Sequence, residues 1–121
     1  MKSGNVPLGQ RGEKLAKEHL KMMGYQVVEE NYRYERAEVD LIVKNDYKKV
    51  LVFVEVKTRR NKKFGEPEES VTEQKQNQLI KSAEGFLMTH PGWEDYDKRF
   101  DVIAIMIEGK KETINHIENA F

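Results

Sequence analysis

The sequence predicts an α/β fold, a three-layer α/β/α domain on a mixed five-stranded sheet, with the element order α-β-β-β-α-β-β. Three observations predict it. A helical pattern near the start is followed by three strand-like runs rich in β-branched residues, separated by short turns. A second helical pattern opens on a capping signature. After it comes Val102-Ile103-Ala104-Ile105-Met106-Ile107, a continuous apolar run of strand length. Strands joined by short turns form an antiparallel meander. A strand–helix–strand connection predicts a right-handed crossover onto a parallel neighbour.

Residues Met1 to Leu8 read as a loose arm, and residues 9–121 as one domain. Gln10 to Met23 reads as a helix with Leu15, Ala16, Leu20 and Met23 on its apolar stripe, stopped by Gly24. Tyr25 to Arg33 is the first strand, and Ala37 to Lys44 the second. Asn45-Asp46-Tyr47-Lys48-Lys49 is a hairpin turn. Val50 to Thr58 is apolar on both faces as far as Glu55, the mark of a central strand. Arg59 to Glu66 is a basic loop. Ser70-Val71-Thr72-Glu73 reads as a capping box with Ser70 as N-cap. The helix it opens runs to about Met88, with Leu79, Ala83, Phe86 and Leu87 at helical spacing. Thr89 to Lys98 is a loop, Phe100 to Ile107 the fourth strand, and Thr113 to Ile117 an edge strand.

The chain has 21 basic and 21 acidic residues, so overall charge does not announce a nucleic-acid binder. Affinity for phosphate must come from local clustering. No apolar run approaches the roughly 20 residues of a membrane span, and Met1 to Pro7 lacks the apolar stretch of a signal peptide. The absence of cysteine excludes disulfides and thiolate metal sites. A soluble, cytoplasmic protein with no membrane partner is the expectation.

Charge interrupts the strands where a buried strand should have none. The second strand carries Glu38 and Asp40, and the third carries Glu55 and Lys57. Side chains alternate along a strand, so Glu38 and Asp40 share a face, as do Glu55 and Lys57. If these strands pair as a hairpin, Asp40 approaches Glu55. Asp40, Glu55 and the Val56 carbonyl then offer oxygen ligands to a hard cation such as Mg2+ or Mn2+, with Glu38 nearby and waters completing the octahedron. Lys57 can orient a water or stabilise the transition state of phosphodiester cleavage. The plainer reading is a hairpin with cross-strand ion pairs.

Two helical residues point the same way. Glu13 lies on the apolar side of the first helix, either aimed at something or favoured by the helix dipole. Lys75 lies one turn before Leu79, on the sheet-facing side, where it reaches a phosphate or an active-site carboxylate unless it is simply solvated. Arg59, Arg60, Lys62 and Lys63 follow the acidic motif as a basic run suited to nucleic-acid phosphates, or a solvated loop. His19, His90 and His116 show no ligand spacing. Trp93 and Tyr96 either stack on bases or pack under a loop. Arg99 and Asp101 read as an ion pair shaping the sheet end.

Gly12-Glu13, Glu38-Val39-Asp40-Leu41-Ile42, Val52-Phe53-Val54-Glu55-Val56-Lys57-Thr58-Arg59, Phe64-Gly65 with Lys75, and Arg99-Phe100-Asp101-Val102-Ile103 together resemble the YraN family, over about Gly9 to Ile107. The resemblance implies a restriction-endonuclease-like fold within the PD-(D/E)xK nuclease superfamily, similar to archaeal Holliday-junction resolvases. Asp40 matches that superfamily's central Asp, Glu55 and Lys57 its Glu-x-Lys, and Glu13 the early helical Glu. One departure is Ala37, where family members often carry Gly; it bears on backbone shape rather than chemistry. What the resemblance implies is a magnesium-dependent nuclease site; the expected function is an endonuclease acting on DNA, with branched or damaged DNA among the candidate substrates. The alternative is a non-catalytic nucleic-acid-binding protein that retains the fold, and a further one is an interaction protein with a structural ion network. By analogy, symmetric cutting of two strands would call for a homodimer.

Overall fold

The computed structural model describes residues 6–60 and 71–121. Among the described residues, two helices and five strands follow one another: α1 (Leu8–Met22), β1 (Gln26–Tyr34), β2 (Ala37–Asn45), β3 (Val50–Arg59), α2 (Glu73–Thr89), β4 (Asp97–Glu108) and β5 (Lys111–Ile117). The strands form one open mixed sheet in the order β1-β2-β3-β4-β5. β1, β2 and β3 make the antiparallel meander, β4 returns parallel to β3, and β5 pairs antiparallel with β4. No helix among the described residues is long and apolar enough to cross a membrane.

Element ends differ from the sequence reading for identifiable reasons. α1 starts at Leu8, inside the expected arm, because the Arg11 N–H already closes a turn onto the Pro7 carbonyl at 3.1 Å. Ser70, the expected N-cap, lies outside the described residues. Thr72 is the cap: its hydroxyl accepts from the Lys75 N–H at 3.2 Å, the standard reach from N-cap to third turn residue. β4 begins at Asp97 rather than Phe100. The parallel ladder recruits it from Val50↔Asp97 onward, so polar residues join a strand that the apolar pattern alone would start later. β5 likewise begins at Lys111, paired with Glu108.

The two layers are set by alternation and by helical stripes. Ala16 and Leu20 of α1 cover Leu41, Val43, Val52, Val54, Ile103 and Ile105. Leu79, Ala83 and Phe86 of α2 cover Val39, Ile42, Leu51 and Phe53. Strict alternation would place Val39 with Leu41. They lie instead on opposite faces, so β2 changes over at Asp40. The β2–β3 ladder, which runs from Asn45↔Val50, ends at Leu41↔Val54, whereas β2 stays paired to β1 as far as Ala37↔Tyr34. The two strands therefore part at Asp40. Ala37 keeps regular pairing and needs no left-handed backbone, which answers the departure noted above.

Both helices approach the sheet at a glycine. A Cβ on Gly12 would overlap Thr58 Oγ1 and lie 2.9 Å from Thr58 Cβ, and one on Gly85 would overlap the Tyr34 ring. On the α1 face, buried Asp101 accepts two bonds from Arg99, both at 2.9 Å, one from His116 at 2.8 Å and one from the Asn119 N–H at 3.0 Å. Burial alone would raise this carboxyl's pKa; His116, Arg99 and Asn119 outweigh it and hold it below the usual range. Arg99 continues to the Tyr25 hydroxyl at 2.7 Å, and His116 to His19 at 3.1 Å, so the network ties α1, β4 and β5 together.

Two predictions follow from these contacts. Gly12→Ala, which in an exposed helix would gain about 1 kcal/mol, should here lose about 1–3 kcal/mol in urea unfolding because it overpacks against Thr58. Asp101→Ala should cost about 3 kcal/mol, because half-buried Arg99, His116 and the Asn119 N–H lose their shared buried acceptor. Because the folded-state pKa of Asp101 is depressed, its contribution is present above the unfolded value and lost as pH falls below it, so the wild-type advantage should shrink in acid.

Candidate active site

The site grows from β3. Every residue from Val50 to Glu55 is buried, so Glu55 is carried into the interior by the strand that holds the core. It follows Leu51 and Phe53 on the α2 face and is only 3 % exposed. Lys57, two residues on, reaches Glu55 Oε2 at 3.3 Å. Lys75, in the capped first turn of α2, reaches the same oxygen at 3.5 Å. Glu55 Oε1 is buried and has no hydrogen-bond partner among the described residues.

Asp40 enters from the strand changeover. Its Oδ2 accepts the Val56 N–H at 2.7 Å, replacing the ladder bond that ends one residue earlier. Its carboxyl lies close enough to that of Glu55 for the pair to share a proton. Burial and then the Asp40 charge push Glu55 up to about 7, against the pull of Lys75 and Lys57. Asp40 is also raised, by burial, with the Val56 N–H and Lys75 opposing. Glu13 faces the same centre from α1. Burial and then Asp40 raise its pKa, and a hydrogen bond with the Asn31 side chain opposes them.

Asp40, Glu55, Lys57 and Lys75 are thus brought together, with Glu13 at their edge. Glu38 is turned to an ion pair with Arg33 across the β1–β2 ladder. Arg59 bonds the Thr58 carbonyl at 3.1 Å and Arg60 is exposed at the end of β3. Lys62, Lys63 and Phe64-Gly65 lie outside the described residues. Trp93 and Tyr96 pack edge-on at 4.8 Å and receive Lys44 and Lys49 over their rings, under the β2–β3 hairpin. Asn31 was not singled out from sequence. Its one signal was an Asn, a poor strand former, in the middle of a strand.

Among the described residues no group of three or more His, Cys, Asp or Glu side chains could hold a metal ion alone. The donors that converge are two carboxylates and the Val56 carbonyl, which leaves the strand on the edge where the ladder has ended. That set suits Mg2+ or Mn2+, which keep several waters and take only one or two carboxylates. The orphaned Glu55 Oε1 is an acceptor a cation would satisfy.

Fold and site define a small mixed-sheet α/β protein in which buried Glu55 meets half-buried Asp40, Lys57 and Lys75 where two strands part. The profile of the uncharacterised protein family UPF0102 matches residues 12–105. The UPF0102 protein of Chloroherpeton thalassium is 44% identical over 97% of this chain and 95% of its own length. That of Caldicellulosiruptor bescii is 45% identical over 94% of this chain and 96% of its own length. The chain belongs to the UPF0102 family, the YraN-like proteins. Among solved structures, a protein of unknown function from Silicibacter pomeroyi aligns with a TM-score of 0.42 and 16% identity, over 94% of this chain and 75% of that one.

The raised Glu55 pKa has a consequence with a definite sign. Between its unfolded value of 4.5 and about 7, the folded state holds a proton that the unfolded state has lost. Metal-free stability should therefore fall as pH rises through that window. Glu55→Gln should remove the loss, leaving the variant more stable than wild type at pH 8 by as much as ~3 kcal/mol and little different near pH 5. Thermal melts in chelator across pH check this; parallel wild-type and variant profiles would refute it.

Proposed function

We propose that this chain is a metal-dependent endonuclease of the PD-(D/E)xK type with a restriction-endonuclease-like fold, hydrolysing phosphodiester bonds in DNA. The observation that carries the reading is the convergence of Asp40, Glu55, Lys57 and Lys75 on one point, with the buried Glu55 Oε1 lacking a partner among the described residues.

Asp40, Glu55 and the Val56 carbonyl would hold Mg2+ or Mn2+, which supplies charge neutralisation at the attacked phosphate and a lowered pKa for a nearby water. The chain's own residues do the rest. The Val56 N–H fixes Asp40 Oδ2 and so sets the direction of Oδ1. Lys57 and Lys75 favour the ionised form of Glu55 against burial and the Asp40 charge, and their remaining N–H donors would be available to a non-bridging phosphate oxygen, where charge builds in the transition state. Arg59 and Arg60 continue outward from Lys57 along the strand end, within roughly 10 Å, and contact the phosphates flanking the cut.

Incubation of the pure protein with linear, flapped and four-way DNA plus Mg2+ or Mn2+ tests the reading. Cleavage should appear and fall at least about a hundredfold in Asp40→Asn and in Lys57→Ala. Cleavage surviving in both variants, or salt-sensitive DNA binding indifferent to chelator with no cleavage, would replace it with a binding role. Because Glu55 must lose its proton to ligate, Mn2+ affinity measured by calorimetry should fall about tenfold per pH unit below about 7. A flat affinity over that range would remove Glu55 from the ligand set.

A further inference from the structure

The acidic pair has a neighbour that the proposed chemistry does not use. Asp40 approaches from the β2 side of β3, and β4 flanks β3 on the other side. There, between the start of α2 and the β4–β5 side of the sheet, lies a cavity of about 320 Å3 lined by Val71, Gln76, Val102, Ile117, Ala120 and Phe121. Two of these residues fix its place. Val102 is the parallel partner of Glu55, so the two side chains leave the same face of the sheet one strand apart, about 4.8 Å. Gln76 follows Lys75 in the opening turn of α2.

The walls select the chemistry of an occupant. Among the described residues, five of the six lining side chains are apolar and none is charged. A phosphate or a metal ion would find no counter-charge there. Phe121 contributes a ring held against Phe100, with centroids 5.3 Å and planes 24° apart, and the Ala120 N–H donates to the Phe100 carbonyl at 2.8 Å. Gln76 is the one polar side chain. Its Nε2 donates to the Val71 carbonyl at 3.3 Å, and a carboxamide has a second donor hydrogen and an acceptor oxygen besides. A flat ring with apolar faces and a donor–acceptor edge suits such walls. Beside a centre that takes a phosphodiester, that ring is a nucleobase. A base inside a duplex has its edge occupied by its partner and its faces by the stack, so an unpaired base enters at the least cost.

Resting on the nuclease reading, we propose that this cavity receives one unpaired base of the strand whose phosphate lies at Glu55. The substrate class is then DNA with an unpaired nucleotide beside the cut. Phe121 and the aliphatic side chains contact the faces of the base, and Gln76 reads its edge.

A duplex with one bulged nucleotide tests this, the bulge carrying either a base or an abasic sugar. Wild type should bind the base-bearing bulge about tenfold more tightly and cleave at a phosphodiester next to it. Ala120→Phe, which fills the cavity, and Gln76→Leu, which removes the amide, should level that preference while Mn2+ affinity by calorimetry and unfolding midpoints stay near wild type. Equal affinity of wild type for the two bulges would overturn the proposal, as would a preference that persists in a folded Ala120→Phe variant. Should Ala120→Phe not fold, NMR on wild type decides. A deoxynucleoside monophosphate should move the Gln76 side-chain amide and the Val102 and Ile117 methyl resonances, and deoxyribose 5-phosphate should not; equal responses to both would refute a base pocket. If cleavage and Mn2+ binding are lost in Asp40→Asn but wild type ignores the base at the bulge, this inference alone fails. If wild type neither binds Mn2+ nor cleaves, the nuclease reading falls and the substrate assignment with it.

Discussion

The interaction on which the rest depends is the placing of half-buried Asp40 beside buried Glu55 where β2 leaves β3. Two carboxyls removed from water and set face to face cannot both stay ionised without a cation. The two lysines answer only part of the charge, because both address Glu55 Oε2, and Oε1 has no partner among the described residues. Near neutral pH the pair therefore retains a proton that the unfolded chain would release. That is an unfavourable arrangement for stability, and sites that hold such arrangements are commonly functional.

The frame that maintains this arrangement is built from ordinary packing. β3 is central, flanked by β2 and by β4 in parallel register with Glu55 beside Val102, so its apolar run draws Glu55 into the interior. α2 brings Lys75 to the same place because Thr72 caps the turn that carries it. Gly12 and Gly85 let both helices sit close to the sheet. On the α1 face, Asp101 is buried too, but four donor contacts satisfy it. The contrast is instructive. Asp101 is depressed and serves stability, whereas Glu55 is raised and burdens it.

Most of the architecture was legible because it is written in periodicity. The apolar runs of β2, β3 and β4 and the helical spacing of Leu79, Ala83 and Phe86 gave the elements, and turn lengths gave the meander and the parallel return. What was not legible lies where tertiary contacts override local pattern. Asp97 to Arg99 join β4 through pairing with β3, not through their own polarity. Thr72 caps α2 two residues beyond Ser70, although only Ser70 has the Glu three residues on that a capping box requires. For the site, the charges breaking apolar strands singled out Glu55, Lys57 and Asp40, and one helical turn from Leu79 singled out Lys75. Glu38 was grouped with Asp40 by alternation, but the changeover at Asp40 and the proximity of Arg33 separate them. Asn31 escaped notice because a left-handed φ has no sequence period.

The chain's zero net charge bears on how such a site meets a polyanion. Glu13, Asp40 and Glu55 line the approach, so a phosphate entering the centre meets acidic groups, and the nearest lysines are already occupied by Glu55. On the proposed reading, a divalent ion bound to Asp40 and Glu55 changes both conditions together. The acidic pair is neutralised, and Lys57 and Lys75 no longer carry the whole burden of its charge, so their donors become available to a phosphate oxygen. Substrate affinity at the centre is then conditional on the ion, while Arg59 and Arg60 supply an ion-independent attraction at the rim. On that same proposal, a protein with no overall positive charge would discriminate between touching DNA and engaging it for chemistry, with Glu55 coupling the two.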